Sequence, residues 1–212
     1  MAIAFNKASG KAIKNGVKHY TYVNGDNRVR MFGGILARYV YWITGTNGKA
    51  IPFECLSFDR EAEAFTNKEK DWVKEYYPDM KCSWSYCIQC IDPTDGTVKV
   101  LNLKKKLLEQ IMTAAEDLGD PTDPDTGWSI CFKRVKTGSM AYNVEYQFQP
   151  LKCKPEPLTD EEKALIAEAP SIDEILPRPS AEAQKILLDT IRNQEATDET
   201  MDETIEDEFD IK

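Results

Sequence analysis

The feature that most constrains this chain is a series of short segments between residues 17 and 148 in which apolar or aromatic residues alternate with polar ones. A period of two sends successive side chains to opposite faces of a strand. Segments 17–23, 28–32, 35–44 and 49–58 are rich in the β-branched and aromatic residues that suit a pleated, half-buried surface. Asn24-Gly25-Asp26-Asn27, Gly33-Gly34 and Thr46-Asn47-Gly48 separate them, and Asn-Gly is a preferred hairpin turn because both positions need positive φ. Further strands are expected over 82–92 and 97–103, and over 128–136 and 142–148. One strong helical pattern interrupts them: Leu107, Ile111, Ala114, Ala115 and Leu118 recur at helical spacing over 104–118, and Gly119 stops the run. A shorter helix is expected over 66–77, ended by Pro78. Hairpins around one helix, with no βαβ rhythm, point to a mainly β small barrel or sandwich.

Four regions follow from composition. Residues 1–16 read as a flexible basic arm and 17–154 as the globular domain. Residues 155–194 read as a proline-containing extension with helices over 159–169, opened by a capping pattern at Thr159 and Glu162, and over 180–193. Residues 195–212 have too little apolar content to pack and read as a disordered acidic tail.

Charge sharpens this division. The 212-residue chain has a formal net charge of −9, which argues against a partner bound through phosphate. Residues 1–154, however, carry 22 basic and 18 acidic side chains, a balance of +4, whereas 155–212 carry 5 and 18, a balance of −13. Residues 1–58 alone reach +6, interleaved with nine aromatics. A basic, aromatic body is followed by a polyanion.

Catalytic chemistry has little support. His19 is the single histidine, no Walker loop, dinucleotide-binding glycine turn or His-Glu-x-x-His pattern occurs, and the carboxylates cluster in the tail, so no enzyme is expected. Cys87 and Cys90 form a Cys-x-x-Cys pair in the middle of an alternating strand, where positions i and i+3 face opposite ways, so buried core thiols are the favoured reading and no metal or other cofactor is expected. A site assembled from Cys55, Cys82 and His19 stays open as an alternative. No run approaches the 18 or so apolar residues of a membrane span and the N-terminus lacks a signal-peptide core, so a soluble intracellular protein with no membrane partner is expected.

Single-stranded nucleic-acid binders join a cationic groove to aromatic faces on which bases stack. Arg28 and Arg30 share one strand face, Arg38 and Trp42 share one face of the next strand, and Tyr39 and Tyr41 the other. Lys99 and Lys104-Lys105-Lys106 flank the end of a later strand, while Lys133 and Arg134 sit on another. As a set they favour a nucleic-acid groove. In the tail, Asp202, Glu203, Glu206, Asp207, Glu208, Phe209 and Asp210 are candidates for recruiting basic partner proteins and for competing with nucleic acid for the groove. The competing reading is a protein-interaction or DNA-mimic module acting through that tail.

Three ordered blocks then carry a resemblance: Arg28-Val29-Arg30-Met31-Phe32 through Asn47-Gly48-Lys49 to Cys55; Trp84 through Asp92-Pro93 and Gly96-Thr97-Val98-Lys99 to Lys104-Lys105-Lys106-Leu107-Leu108; and Trp128 through Lys133-Arg134-Val135-Lys136 to Tyr142 and Phe148. Together they resemble the single-stranded DNA-binding proteins of T-even-type tailed phages over roughly residues 17–165. The resemblance implies an OB-fold, a five-stranded Greek-key barrel with extra strands and a helix, that binds single-stranded DNA. It implies action in phage replication, recombination and repair in the cytoplasm of the infected bacterium, with phage or host replication and recombination proteins as partners of the tail and self-association on DNA. It also implies stacking by Tyr142, basic groove positions at Lys49, Lys105 and Lys106, and a strand-opening tryptophan at Trp84. Leu101 stands where the family has a DNA-facing tyrosine, Ala50 and Ile51 replace aromatics, and the family's zinc insertion has no counterpart between Cys55 and Cys82.

Overall fold

The computed structural model describes residues 17–45, 48–140 and 143–206, with side chains as far as residue 193. The expected basic arm, Asn47, Tyr142 and residues 207–212 lie outside the described residues.

The alternating segments form nine strands among the described residues: β1 (Lys18–His19), β2 (Gly25–Leu36), β3 (Tyr39–Thr44), β4 (Ala50–Glu54), β5 (Ser83–Trp84), β6 (Cys87–Asp92), β7 (Thr97–Asn102), β8 (Ile130–Lys136) and β9 (Val144–Phe148). Six of them build a mixed sheet in the order β1-β7-β6-β2-β8-β9, and β4-β3-β5 build a second sheet of three. Strand β2 joins the halves of the larger sheet. Its first part pairs with β8, from Gly25↔Arg134 to Val29↔Ile130, and its second with β6, from Arg30↔Ile91 to Leu36↔Cys87. Gly33-Gly34, expected to break the strand, lies inside it. The register shifts between Phe32 and Leu36, and Gly33 takes φ +71, so the glycines form a bulge through which the strand continues.

The chain is mainly β as expected, but among the described residues the sheets do not close into a barrel. Among the described residues β1 and β9 are the two edges of the larger sheet, and β1, two residues long and parallel to β7, is too short to reach across.

Both faces of the larger sheet are nevertheless buried. One packs Val29, Met31, Ile88, Leu101, Ile130 and Phe132 against Leu107 and Ile111 of α2 (Lys105–Leu118). The other gives two smaller clusters, Leu36, Cys87 and Val100 with Ile172, and Phe32 and Ile91 with Leu158. The extension therefore covers the back of the sheet, which is why all six positions of β6 are buried. Cys87 and Cys90 fall in different clusters, as opposite strand faces require.

Helix α1 (Trp72–Tyr76) is shorter than the expected 66–77 because the Asp71 carboxylate caps it, accepting from the Val73 and Lys74 amides. Helix α3 (Asp160–Glu168) starts at the expected reciprocal cap between Thr159 and Glu162. The same device at Ser171 and Glu174 starts α4 (Ile172–Ile175), a helix not expected from periodicity. Helix α5 (Ala181–Glu206) buries Leu188 and Ile191 in the main core. It continues past the expected end at Asn193 into the segment read as a disordered tail, since residues 194–206 hold no glycine or proline to stop it. Its docking is polar as well as apolar: the Gln184 side chain accepts from the Trp72 amide at 2.7 Å and donates to the Glu54 carbonyl at 2.9 Å.

Candidate nucleic-acid interface

Two aromatic side chains hold the turn that begins α2. Tyr22 Oη donates to the Asn102 carbonyl at 2.7 Å, and Trp84 Nε1 donates to the next carbonyl, that of Leu103, at 3.2 Å. Lys104 follows at the N-cap, in extended backbone and with no side-chain capping bond, and the first turn holds Lys105 and Lys106 but no acid. A helix N-terminus presents unpaired amides and the positive end of the macrodipole, so this end gathers positive charge where negative charge is normally favoured.

The rings lie against these cations. Lys104 Nζ sits 5.6 Å from the Tyr22 ring centroid and Lys105 Nζ 5.9 Å from that of Trp84, which itself stacks on Tyr86 at 3.5 Å. Tyr22 meets Tyr146 edge-on at 5.1 Å, and Tyr146 stands opposite Arg134 across the β8–β9 ladder. Arg134 donates to Asn24 Oδ1, and its Nε is buried without a hydrogen-bond partner. Lys136 shares that face of β8 by strand alternation. Burial, then the nearby Arg134 charge, pulls the Lys104 ammonium below its ordinary pKa. Burial also raises the Tyr22 phenol far above its usual value, so it stays a neutral donor. The ion pairs among the described residues include none of Lys104, Lys105, Lys106, Arg134 or Lys136. Chemically the patch offers positive charge to phosphates and π faces to bases.

Of the residues singled out in the sequence, the structure brings Trp84, Lys105, Lys106 and Arg134 together here. The others are elsewhere. Lys133 occupies the opposite face of β8, across from Asp26. Arg28 pairs with Glu156, and that hydrogen bond holds the Glu156 carboxyl below its ordinary pKa. Arg30 is buried, donating to the carbonyls of Pro121 at 2.5 Å and Asp123 at 2.6 Å. Arg38 donates to the Ser85 carbonyl at 3.1 Å, and Lys99 is closed by Asp92 at 2.6 Å and Asp95 at 2.7 Å. Tyr39 packs between Phe58 and Phe65, and Tyr41 is buried with its hydroxyl on Asp71 at 3.2 Å. Trp42 is 50% exposed on the outer face of the smaller sheet, its Nε1 on Ser83 Oγ at 3.2 Å, and Lys49 is exposed at the end of the same hairpin. Asp202, Glu203 and Glu206 fall on the backbone of α5, while Asp207, Glu208, Phe209 and Asp210 join Tyr142 outside the described residues.

Lys104, from the lysine run already noted, completes the patch with Tyr22 and Tyr146, which were not singled out as binding residues. A local signal for Lys104 existed: three lysines at the start of a helix, where caps and acids belong. The possible ligands Cys55 and Cys82 lie beside Tyr41, whereas His19 is on β1 against Val100, and among the described residues no group of three or more histidine, cysteine, aspartate or glutamate side chains is placed to hold a metal.

No profile of a known protein family matches the chain. One curated protein, the probable ssDNA-binding protein of Escherichia phage T5, is 30% identical over 219 aligned residues, covering 87% of this chain and 84% of the relative. That relative comes from a T5 phage and lends no support to the T-even-type likeness or to the comparison with its zinc insertion. At this identity over most of both chains, the protein belongs to the family of the T5 protein.

Proposed function

We propose that this is a non-catalytic protein that binds single-stranded DNA without reading its sequence, through the patch around the start of α2. The observation that carries the reading is the family relationship to a probable ssDNA-binding protein, and the interleaving of Tyr22, Trp84 and Tyr146 with cations that form no ion pair among the described residues supports it. The long strand β2, shared between two ladders and bent at a glycine bulge, is what an OB-like body needs, and we take the fold to be a relative of that class. In this reading the protein serves phage DNA replication, recombination and repair in the infected bacterium, and its acidic C-terminus recruits basic partner proteins. Self-association along DNA belongs to the same proposal.

Titrating oligo-dT into the full-length protein at low salt and following tryptophan fluorescence tests it. Quenching that weakens steeply as salt rises is expected, because phosphate contacts release counterions. Deleting residues 195–212 should tighten binding. Absence of any binding by both proteins sinks the reading, and activity that vanishes with the tail favours a protein-interaction module instead.

A further inference from the structure

Arg134 and Lys104 make an arrangement that a protein on its own disfavours. The Lys104 side chain is half-buried beside the Tyr22 ring, Tyr22 meets Tyr146, Arg134 stands opposite Tyr146 across the β8–β9 ladder, and no described acid forms an ion pair with either cation. Two like charges drawn partly out of water repel each other and lose hydration, which is tolerated where an anion joins them. The Arg134 Nε is buried and lacks an acceptor, as the Arg30 Nε does, and a terminal nitrogen of Arg134 reaches Asn24; unlike Arg30, Arg134 has no backbone carbonyl closing its guanidinium among the described residues. The uncapped start of α2 adds free backbone amides to the same place. Tyr22 and Tyr146, in edge contact at 5.1 Å, form an apolar wall beside it. Several donors of positive character arriving from different directions suit a tetrahedral phosphate oxyanion, whose oxygens are not confined to one plane as those of a carboxylate are.

We propose that Lys104 and Arg134 together form the seat of a single phosphate, which in the protein's DNA complex is one backbone phosphate held beside the Tyr22 and Tyr146 rings. The DNA-bound form of this inference rests on the single-stranded DNA reading above; the phosphate seat itself does not. Arg134 supplies directional hydrogen bonds, Lys104 a point charge, and the start of α2 its amides. The remaining lysines, Lys105, Lys106 and Lys136, are outside the seat and contribute to the field around it.

Two measurements test it. In the first, thermal unfolding of the full-length protein is followed in sodium phosphate and in sodium chloride at equal ionic strength. Phosphate should raise the Tm in a saturable way, and Lys104→Met and Arg134→Met should each abolish the rise, while Lys104→Arg retains it and Lys68→Met, at an exposed position away from the seat, leaves it unchanged. Equal Tm in the two salts overturns the seat. In the second, oligo-dT affinity is measured against salt. Each single variant should bind roughly tenfold more weakly, as loss of a charged hydrogen bond to a ligand implies. The slope of log K against log salt should fall by about 0.7 in each single variant and by no more in the double variant, because both side chains serve one phosphate. A double variant that loses about 1.4 overturns the shared seat in favour of two separate contacts. Circular dichroism of the variants should show α2 intact. If phosphate stabilises the protein but oligo-dT does not bind, the seat stands and the DNA reading fails; if oligo-dT binds and the variants keep the wild-type slope, the reverse holds.

Discussion

Arg30 and Lys104 are both drawn out of water on the same small body, and their surroundings differ completely. The Arg30 guanidinium, 4% exposed, meets the carbonyls of Pro121 and Asp123, and the chain packs so closely there that a Cβ at Gly127 would run into both Asp123 and Arg30. Arg60 and Arg178 converge in the same manner on the buried Glu54, at 2.6 and 3.5 Å. Around Lys104 the neighbours are the Tyr22 ring, itself against Tyr146, and the charge of Arg134. A basic residue whose terminal nitrogens close on protein carbonyls ties distant segments together even where, as at Arg30, its Nε stays without an acceptor; one beside a ring and a second cation, with no ion pair among the described residues, is available to a ligand. Basic character read from sequence cannot separate these classes, because the partners arrive from far along the chain.

Three substitutions press on this contrast. The largest effect is expected at Glu54, whose loss takes the buried carboxylate from between Arg60 and Arg178 and leaves them to backbone carbonyls and to the more exposed Asp173 and Glu69. Glu54→Ala should cost about 3–5 kcal/mol in urea unfolding, with oligo-dT affinity of the folded protein unchanged. Arg30→Met removes two charge-assisted hydrogen bonds and should cost about 2–3 kcal/mol, again without changing the salt slope of DNA binding; a fall in slope would move Arg30 into the ligand-facing class. The smallest concerns Lys99. Its hydrogen bond, with that of Thr97, pulls the Asp95 carboxyl from 3.8 down to about 2, and although burial pushes Asp92 up, Lys99 brings that carboxyl below its ordinary value too. A carboxylate whose pKa is depressed on folding stabilises the protein above its unfolded value and loses that contribution as pH falls. Tm should therefore drop between about pH 4 and pH 2, and Lys99→Met should flatten that stretch of the profile.

Local chemistry was legible. The spacing of Leu107, Ile111, Ala114, Ala115 and Leu118 and the stop at Gly119 locate α2 almost to the residue, and the capping pair Thr159 and Glu162 locates α3. Opposite faces for Cys87 and Cys90 followed from strand alternation. What escaped depends on long-range pairing. Gly33-Gly34 reads as a turn in isolation, yet β6 supplies partners on both sides of it, so the pair becomes a bulge. Arg28 and Arg30 share a strand face and diverge because Glu156 leaves the first half-exposed while residues 121–123 cover the second. The candidate site was half legible: the lysine run and Trp84 stood out, whereas Tyr22 and Tyr146 gain meaning only when β8 and β9 bring Arg134 beside them.

Strand β2 has a consequence for how the protein is made. Asp26 finds its partner Lys133 only after about a hundred further residues have been synthesised, a wait on the order of 5–20 s at typical elongation rates. Until β6 emerges the whole twelve-residue strand, with Val29, Met31 and Phe32, is a template for foreign strands, and until β8 emerges its first part remains one. Arg28 and Arg30, alternating with those apolar residues, are the kind of charged gatekeepers that discourage such pairing. In the finished protein the same two arginines are withdrawn from that edge, one closing on Glu156 and the other on the loop carbonyls.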